Sequence, residues 1–272
     1  MLKNSFMSTL PCDCTLYLAK QFAPFTLMER VEWLKQMRDK AEVVYDQLSP
    51  QYWVSLGLHA DDTQREFLRK FLGRLAPRSN LLSAGCGAGR YDGMLLKAGH
   101  SVLGIDQSAG MLERAKERFP GVRYEKISLQ DMVFQQVFDG AICVETLEHI
   151  CPEDWPGILR RFQAALKPGG VLYFTVELAE ADKLEIAWEC ARTRGLPVVY
   201  GEVADEVDAA YEWITKLRMP VVPRQDADEA LYHYYPPLEQ VRVWLNQAGL
   251  VIEEEGTGDG YAHFVVRKRL DI

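Results

Sequence analysis

Leu81-Leu82-Ser83-Ala84-Gly85-Cys86-Gly87-Ala88-Gly89-Arg90 sets the frame for the rest of the chain. An apolar run of strand length ends in three alternating glycines, and a helical pattern follows over residues 91–98. Such a turn needs glycine for two reasons: positive φ angles, and close approach of the backbone to a ligand. The helix opening after it offers unpaired N–H groups to a negative group.

Working outward, the next apolar run, 100–105, ends in Asp106, 21 residues after Gly85. An acid about 20 residues beyond such a turn is placed to grip a ribose diol. Short apolar runs follow at 122–127, 138–144 and 171–176, separated by helical stretches at 110–118 and 156–166. Strands alternating with helices of this length imply βαβ units and a parallel sheet. Further on, 237–248 reads as a helix closed by Gly249, and 250–254 and 261–267 read as strands. Gly256-Thr257-Gly258-Asp259-Gly260 joins them in a turn-rich connection that suits an antiparallel pair.

Upstream, residues 27–48 show a helical pattern with Val31, Leu34, Met37 and Val44 on one face, ended by Pro50. A second helix is expected over 62–75, capped by Asp61 or Asp62. Residues 1–78 are thus read as an N-terminal helical cap and 79–272 as one α/β domain. Residues 178–235 interrupt the alternation and are read as an inserted helical lid, with helices near 181–194 and 202–217. The expected fold is a doubly wound, Rossmann-like sheet, mostly parallel, with an antiparallel last strand. Its ligand should sit at the carboxyl ends of the strands.

Composition narrows the class. The chain has 272 residues, 48% hydrophobic and 26% charged, as in a compact globular protein. A net charge of -8 repels phosphate-rich partners, so no nucleic acid is expected. The six cysteines show no CxxC pair and read as free thiols of a reducing cytoplasm. No apolar run is long enough to span a bilayer, and residues 1–20 do not read as a secretion signal. Nothing here bears on oligomeric state.

Gly85-Cys86-Gly87-Ala88-Gly89 resembles motif I of the class I S-adenosylmethionine-dependent methyltransferases. Gly104-Ile105-Asp106-Gln107-Ser108-Ala109-Gly110-Met111-Leu112 resembles their second motif. Phe138-Asp139-Gly140 through Glu148-His149 resembles the fourth-strand motif, and Leu166-Lys167-Pro168-Gly169-Gly170-Val171-Leu172 the turn into the fifth strand. The resemblance covers residues 79–177, and 237–268 in outline. It implies S-adenosylmethionine as cofactor and a small-molecule methyl acceptor. It places Gly85, Cys86 and Gly87 under the methionine part and Asp106 on the ribose. Gln107 and Met111 fall beside the adenine, and Ser128, Leu129 and Gln130 on its far side. Val144 and Glu145 face the methionyl group and the methyl.

Two positions depart from the family pattern. Ser83 stands where an acid is usual, two residues before the first glycine, and Ser128 where an aspartate often follows the third strand. Asp131 can substitute for the second. For the first, Glu145 or Glu148 is expected to supply the carboxylate for the cofactor's ammonium, with water and backbone carbonyls as the alternative. Two other functions compete. A nicotinamide-dependent reductase would need GxGxxG, but position 90 is arginine, and the chain has no Tyr-x-x-x-Lys pair. A non-catalytic S-adenosylmethionine-binding protein is the other.

A sulfonium is already a strong electrophile, so a base is needed only where the acceptor must lose a proton. His149 and His233 are the catalytic candidates, with Glu148 and Glu177 beside them, although a lone histidine is more often structural. Tyr232-His233-Tyr234-Tyr235-Pro236-Pro237, together with Tyr45, Tyr52 and Trp53, either walls a substrate pocket or packs hydrophobically. The acidic stretch 202–208 either attracts a cation or is a solvated helix face. Cys143, Glu145, Glu148, His149 and Cys151 carry metal-capable atoms, but no metal site is expected.

Overall fold

A computed structural model describes residues 27–56, 60–193, 195–204 and 232–270. Seven strands form one sheet: β1 (Asn80–Ala84), β2 (Ser101–Asp106), β3 (Arg123–Lys126), β4 (Phe138–Cys143), β5 (Leu166–Glu177), β8 (Leu250–Gly258) and β9 (Tyr261–Lys268). Their order is β3-β2-β1-β4-β5-β9-β8. The first five pair in parallel, while β9 runs antiparallel to both its neighbours.

Period-two alternation divides the side chains between two buried layers. Leu82, Ala141, Cys143, Leu172, Phe174 and Phe264 face one layer, built with α6 (Trp155–Ala165) and α8 (Leu238–Gln247). Leu81, Ile142, Val171, Tyr173 and Val265 face the other, against α3 (Asp62–Leu72), α4 (Asp92–Lys97) and α5 (Ala109–Arg118). Strands covered on both faces read as unbroken apolar runs, which is why β1 and β4 are so plain in the sequence.

Before α3 come α1 (Leu27–Leu48), a 3-10 turn at Ser49–Gln51 and α2 (Tyr52–Leu56). In α1, Leu34, Ala41 and Val44 are buried, but Val31 is 59% exposed, so the apolar face is narrower than its spacing suggests. Asp46 anchors this helix over the start of α5. Its Oδ1 accepts from Ser108 Oγ at 2.6 Å and from the Gly110 N–H at 2.9 Å, capping a neighbouring helix rather than its own. Helix α3 ends at Leu72, three residues short of the expected bound, where Gly73 terminates it. Its N-cap is Asp61, whose N–H donates to Gln64 Oε1 at 2.9 Å.

Within 178–235, α7 (Ala181–Thr193) matches the first expected helix. The second does not begin at Glu202: Glu202–Val203 is a short strand, β6, paired antiparallel with β7, His233–Tyr234. Residues 205–231, and with them the rest of that helix, lie outside the described residues, as do residues 1–20. Nor is Glu202 a solvated charge. It is 1% exposed and takes Arg30 Nη1 at 3.0 Å, Arg30 Nη2 at 2.8 Å and the Tyr232 hydroxyl at 2.6 Å. A buried carboxylate needs such partners, and they fasten the segment to α1.

Candidate active site

Neighbouring β1 and β4 send their connections to opposite sides of the sheet, so a crevice opens beyond their carboxyl ends. A cavity open to solvent lies there, with about 890 Å³ of empty space once the adjoining solvent is counted in. Gly85, Cys86, Gly87, Asp106, Gln107, Met111, Ser128, Leu129, Gln130, Val144 and Glu145 all line it, and so does His149. His233 does not. It stands behind His149, with ring centroids 4.7 Å apart.

The three glycines serve different ends. All have positive φ: 63° at Gly85, 51° at Gly87 and 82° at Gly89. A Cβ on Gly85 would lie 2.1 Å from Thr146 Cγ2, so that glycine lets the loops after β1 and β4 pack together. A Cβ on Gly87 would meet only the Met111 methyl at 3.3 Å and the Tyr52 hydroxyl at 3.9 Å. Gly87 therefore presents bare backbone to the cavity. Asp106, at the end of β2, holds that backbone. Its Oδ2 accepts from the Gly87 N–H and its Oδ1 from the Ser108 N–H, both at 2.8 Å. Burial pushes the Asp106 carboxyl up, and the N–H groups of Ser108, Gly87 and Gln107 pull it back. Each oxygen keeps a lone pair for a ligand hydroxyl.

Ser83 is buried, and near it lies a carboxylate that sequence reasoning missed. Asp92, in the first turn of α4, is wholly buried, and among the described residues neither of its oxygens has a hydrogen-bond partner of normal geometry. Burial pushes its carboxyl up from 3.8 to about 6, offset in part by the Ser83 and Tyr124 hydroxyls. An acid whose folded pKa is raised stabilises the fold while protonated. That contribution is complete below about pH 3.8 and is lost as the pH rises through about 6. Above that the ionised form costs on the order of 3 kcal/mol. Asp92→Asn should therefore be more stable than the parent at pH 8, with the gain shrinking toward pH 4. Urea unfolding at both values checks this, and identical pH dependence in the two proteins would refute it.

Glu145 reaches the cavity wall from a positive φ of 52°, a strained conformation for a residue with a side chain. Its carboxylate pairs with Arg90 and accepts from Gln64 Nε2. Arg90 is the residue just after the glycines, and nothing in the local sequence marks it as this partner. Glu148 does not line the cavity. It is 5% exposed, its Oε2 has no hydrogen-bond partner among the described residues, and burial with Glu177 close by holds its carboxyl well above the usual range. Glu177 lies 3.0 Å from His233 Nδ1.

Helices α1 and α2 supply part of the cavity wall. Arg38, Ala41, Tyr45 and Tyr52 line it, whereas Trp53 packs against Tyr52 and under the Arg118 guanidinium. Tyr232 and Tyr234 join the main core and Tyr235 a smaller one, so the aromatic cluster at 232–235 serves packing. Arg38 and Thr146 also line the cavity, and neither carried a signal in the sequence.

Residues 81–170 match the family model described as a methyltransferase domain. A ubiquinone biosynthesis O-methyltransferase of Hydrogenovibrio crunogenus is 31% identical over 142 residues, 48% of this chain and 57% of that protein. A SAM-dependent methyltransferase structure from Methanosarcina mazei has a TM-score of 0.57 at 17% identity, covering 73% of this chain and 96% of that one. The 1,6-didemethyltoxoflavin-N1-methyltransferase of Burkholderia thailandensis was solved with 1,6-didemethyltoxoflavin and S-adenosylhomocysteine bound. It gives a TM-score of 0.51 at 16% identity, covering 97% of this chain and 93% of that one. This chain spans about half the length of the curated relatives it matches. Residues 81–170 thus match a methyltransferase domain, and the seven-stranded sheet that carries them shares its fold with these solved methyltransferase structures.

Proposed function

We propose that this chain is an S-adenosylmethionine-dependent methyltransferase acting on a small-molecule acceptor. The observation that carries this reading is Gly87, bare and strapped to Asp106, at the mouth of a cavity at the switch point. In this reading Gly85, Cys86 and Gly87 underlie the methionine part and Asp106 holds the ribose. Gln107 and Met111 meet the adenine on one side, and Ser128, Leu129 and Gln130 on the other. S-adenosylmethionine supplies an electrophilic methyl. The protein's part is to align the acceptor and exclude water. Tyr45 and His149 line the same cavity as the residues expected to hold the cofactor, which supports catalysis over mere sensing.

The division into a cap at 1–78, a catalytic domain at 79–272 and a lid at 178–235 is part of the same proposal. So is a cytoplasmic location, which the free thiols of Cys86, Cys143, Cys151 and Cys190 support. Among the described residues no helix is long and apolar enough to cross a membrane. Calorimetry on the full chain tests the core of the reading. S-adenosylmethionine should bind and NADH should not; the reverse would overturn it.

Of the two carboxylates considered for the cofactor's ammonium, Glu145 lines the cavity, and we assign it that role. Glu145→Gln, nearly isosteric, should weaken S-adenosylmethionine binding tenfold or more, since a charged hydrogen bond contributes about 1.5–3 kcal/mol. Methylthioadenosine, which lacks the amino-acid portion, should bind parent and variant alike. Equal S-adenosylmethionine affinities would remove Glu145 from this role.

A further inference from the structure

His149 makes two hydrogen bonds that together determine where its proton lies. Its Nδ1 is 3.2 Å from the Tyr232 carbonyl oxygen, and its Nε2 is 2.8 Å from the Tyr45 hydroxyl. A carbonyl only accepts, so Nδ1 carries the hydrogen. Burial, with His233 adding to it, pushes the imidazolium pKa down to about 3, against the pull of the Tyr232 carbonyl. The ring is therefore neutral, Nε2 is a bare lone pair, and the Tyr45 hydroxyl must donate to it. Tyr45 and His149 both line the cavity, from α1 and from the turn after β4. Both hydrogens of this pair are thus directed from Tyr45 toward Tyr232.

Resting on the methyltransferase reading, we propose that Tyr45 and His149 form a one-way proton relay for the acceptor. The acceptor's nucleophilic atom would then be a hydroxyl oxygen, not an amine nitrogen or a carboxylate. The acceptor's hydrogen bonds to the Tyr45 oxygen while its lone pair faces the methyl. As the new bond to the methyl carbon forms, the S–C bond breaks and its electron pair stays on sulfur. The acceptor's proton passes to Tyr45, whose own proton moves to His149 Nε2, leaving a neutral methylated product and an imidazolium. A weak base suffices, because an oxygen that gains a methyl while keeping its hydrogen becomes a strongly acidic cation. Tyr232, which orients the ring through its backbone, belongs to the segment fastened to α1 by Arg30 and Glu202.

Among the described residues, the groups facing His149 are Tyr45 and Arg38 from α1, Tyr232 and His233 from the 232–235 segment, Glu148 on its own turn, and Asp154 across a small adjoining cleft. Glu177 stands beside His233. Burial, with His233 adding to it, leaves the ring neutral from about pH 3 upward.

Histidine-selective 15N NMR on the full chain tests the relay, with Glu148→Gln, His149→Gln and His233→Gln separating the signals. His149 should show the Nδ1–H tautomer, without titration between pH 5 and 9, and Tyr45→Phe should shift Nε2 alone. The opposite tautomer, or titration near neutrality, overturns the proposal whatever the acceptor. Broadening of the His149 and His233 signals by micromolar Mn²⁺ also overturns it, by putting a cation where the relay should run. Catechol, benzylamine and benzoate then probe the acceptor class through S-adenosylhomocysteine release. Tyr45→Phe should cut turnover of catechol roughly a hundredfold, with S-adenosylmethionine affinity unchanged. Faster turnover of benzylamine or benzoate, or equal turnover by parent and variant, refutes it. Failure of the parent to bind S-adenosylmethionine would refute the methyltransferase reading instead, and leaves the ring signals interpretable.

Discussion

Gly87→Val is expected to abolish measurable S-adenosylmethionine binding in a protein that still folds. A Cβ at this position meets only the end of the Met111 side chain at 3.3 Å and the Tyr52 hydroxyl at 3.9 Å, so the empty protein can accommodate it. The cost to the fold is conformational. A φ of 51° in a branched residue takes about 1–2 kcal/mol. The cost to the ligand is steric, since two methyl groups would stand where backbone meets cofactor, and affinity should fall at least a hundredfold. Gly85→Val is the control with the opposite signature. Its Cβ would lie 2.1 Å from Thr146, so it should unfold or misassemble the loop regardless of ligand. Calorimetry with circular dichroism distinguishes the two. Tight binding by folded Gly87→Val would show that the glycine serves the turn alone.

Asp106→Ala should weaken S-adenosylmethionine binding by a comparable factor, through two routes. Directly, it removes the carboxylate that accepts from the ribose hydroxyls; two charged hydrogen bonds at about 1.5–3 kcal/mol each correspond to a hundredfold or more. Indirectly, it orphans the N–H groups of Gly87 and Ser108, so the loop loses its strap and stability falls as well. Asp106→Asn separates the routes. Its amide oxygen keeps one backbone bond, but the NH₂ opposes the other, so binding should be intermediate and the folded state closer to the parent. Unchanged affinity in Asp106→Ala would take the residue out of the site.

Much of the site was legible because its parts are local. A glycine turn, an acid at the end of the next strand and a loop after the fourth strand each follow from a few consecutive residues, and a parallel sheet brings its strand ends together. Asp92 was missed because nothing local marks an aspartate in the first turn of a helix as buried. Glu202 was misread because an acid in a charged stretch is ordinarily solvated, and its partner Arg30 is 172 residues away. Separation along the chain also hid the cavity wall supplied by α1 and α2. Tyr45 and Tyr52 were named as either wall or packing, and only the docking of α1 through Asp46 onto α5 brings them to the cavity.

By itself the sequence determined the layered α/β sheet, the antiparallel end and the edge where ligands gather. Those features rest on periodicity, glycine conformations and short-range spacing, which the chain carries locally. The tertiary structure alone decided the protonation and pairing of the groups at that edge. It paired Glu145 with Arg90, neutralised His149 and aimed its lone pair at Tyr45, buried Glu148, and set His233 behind the cavity wall. Charge state and hydrogen-bond direction depend on which dielectric and which partners surround a group. Those surroundings are assembled from segments far apart in the chain, so no local pattern encodes them.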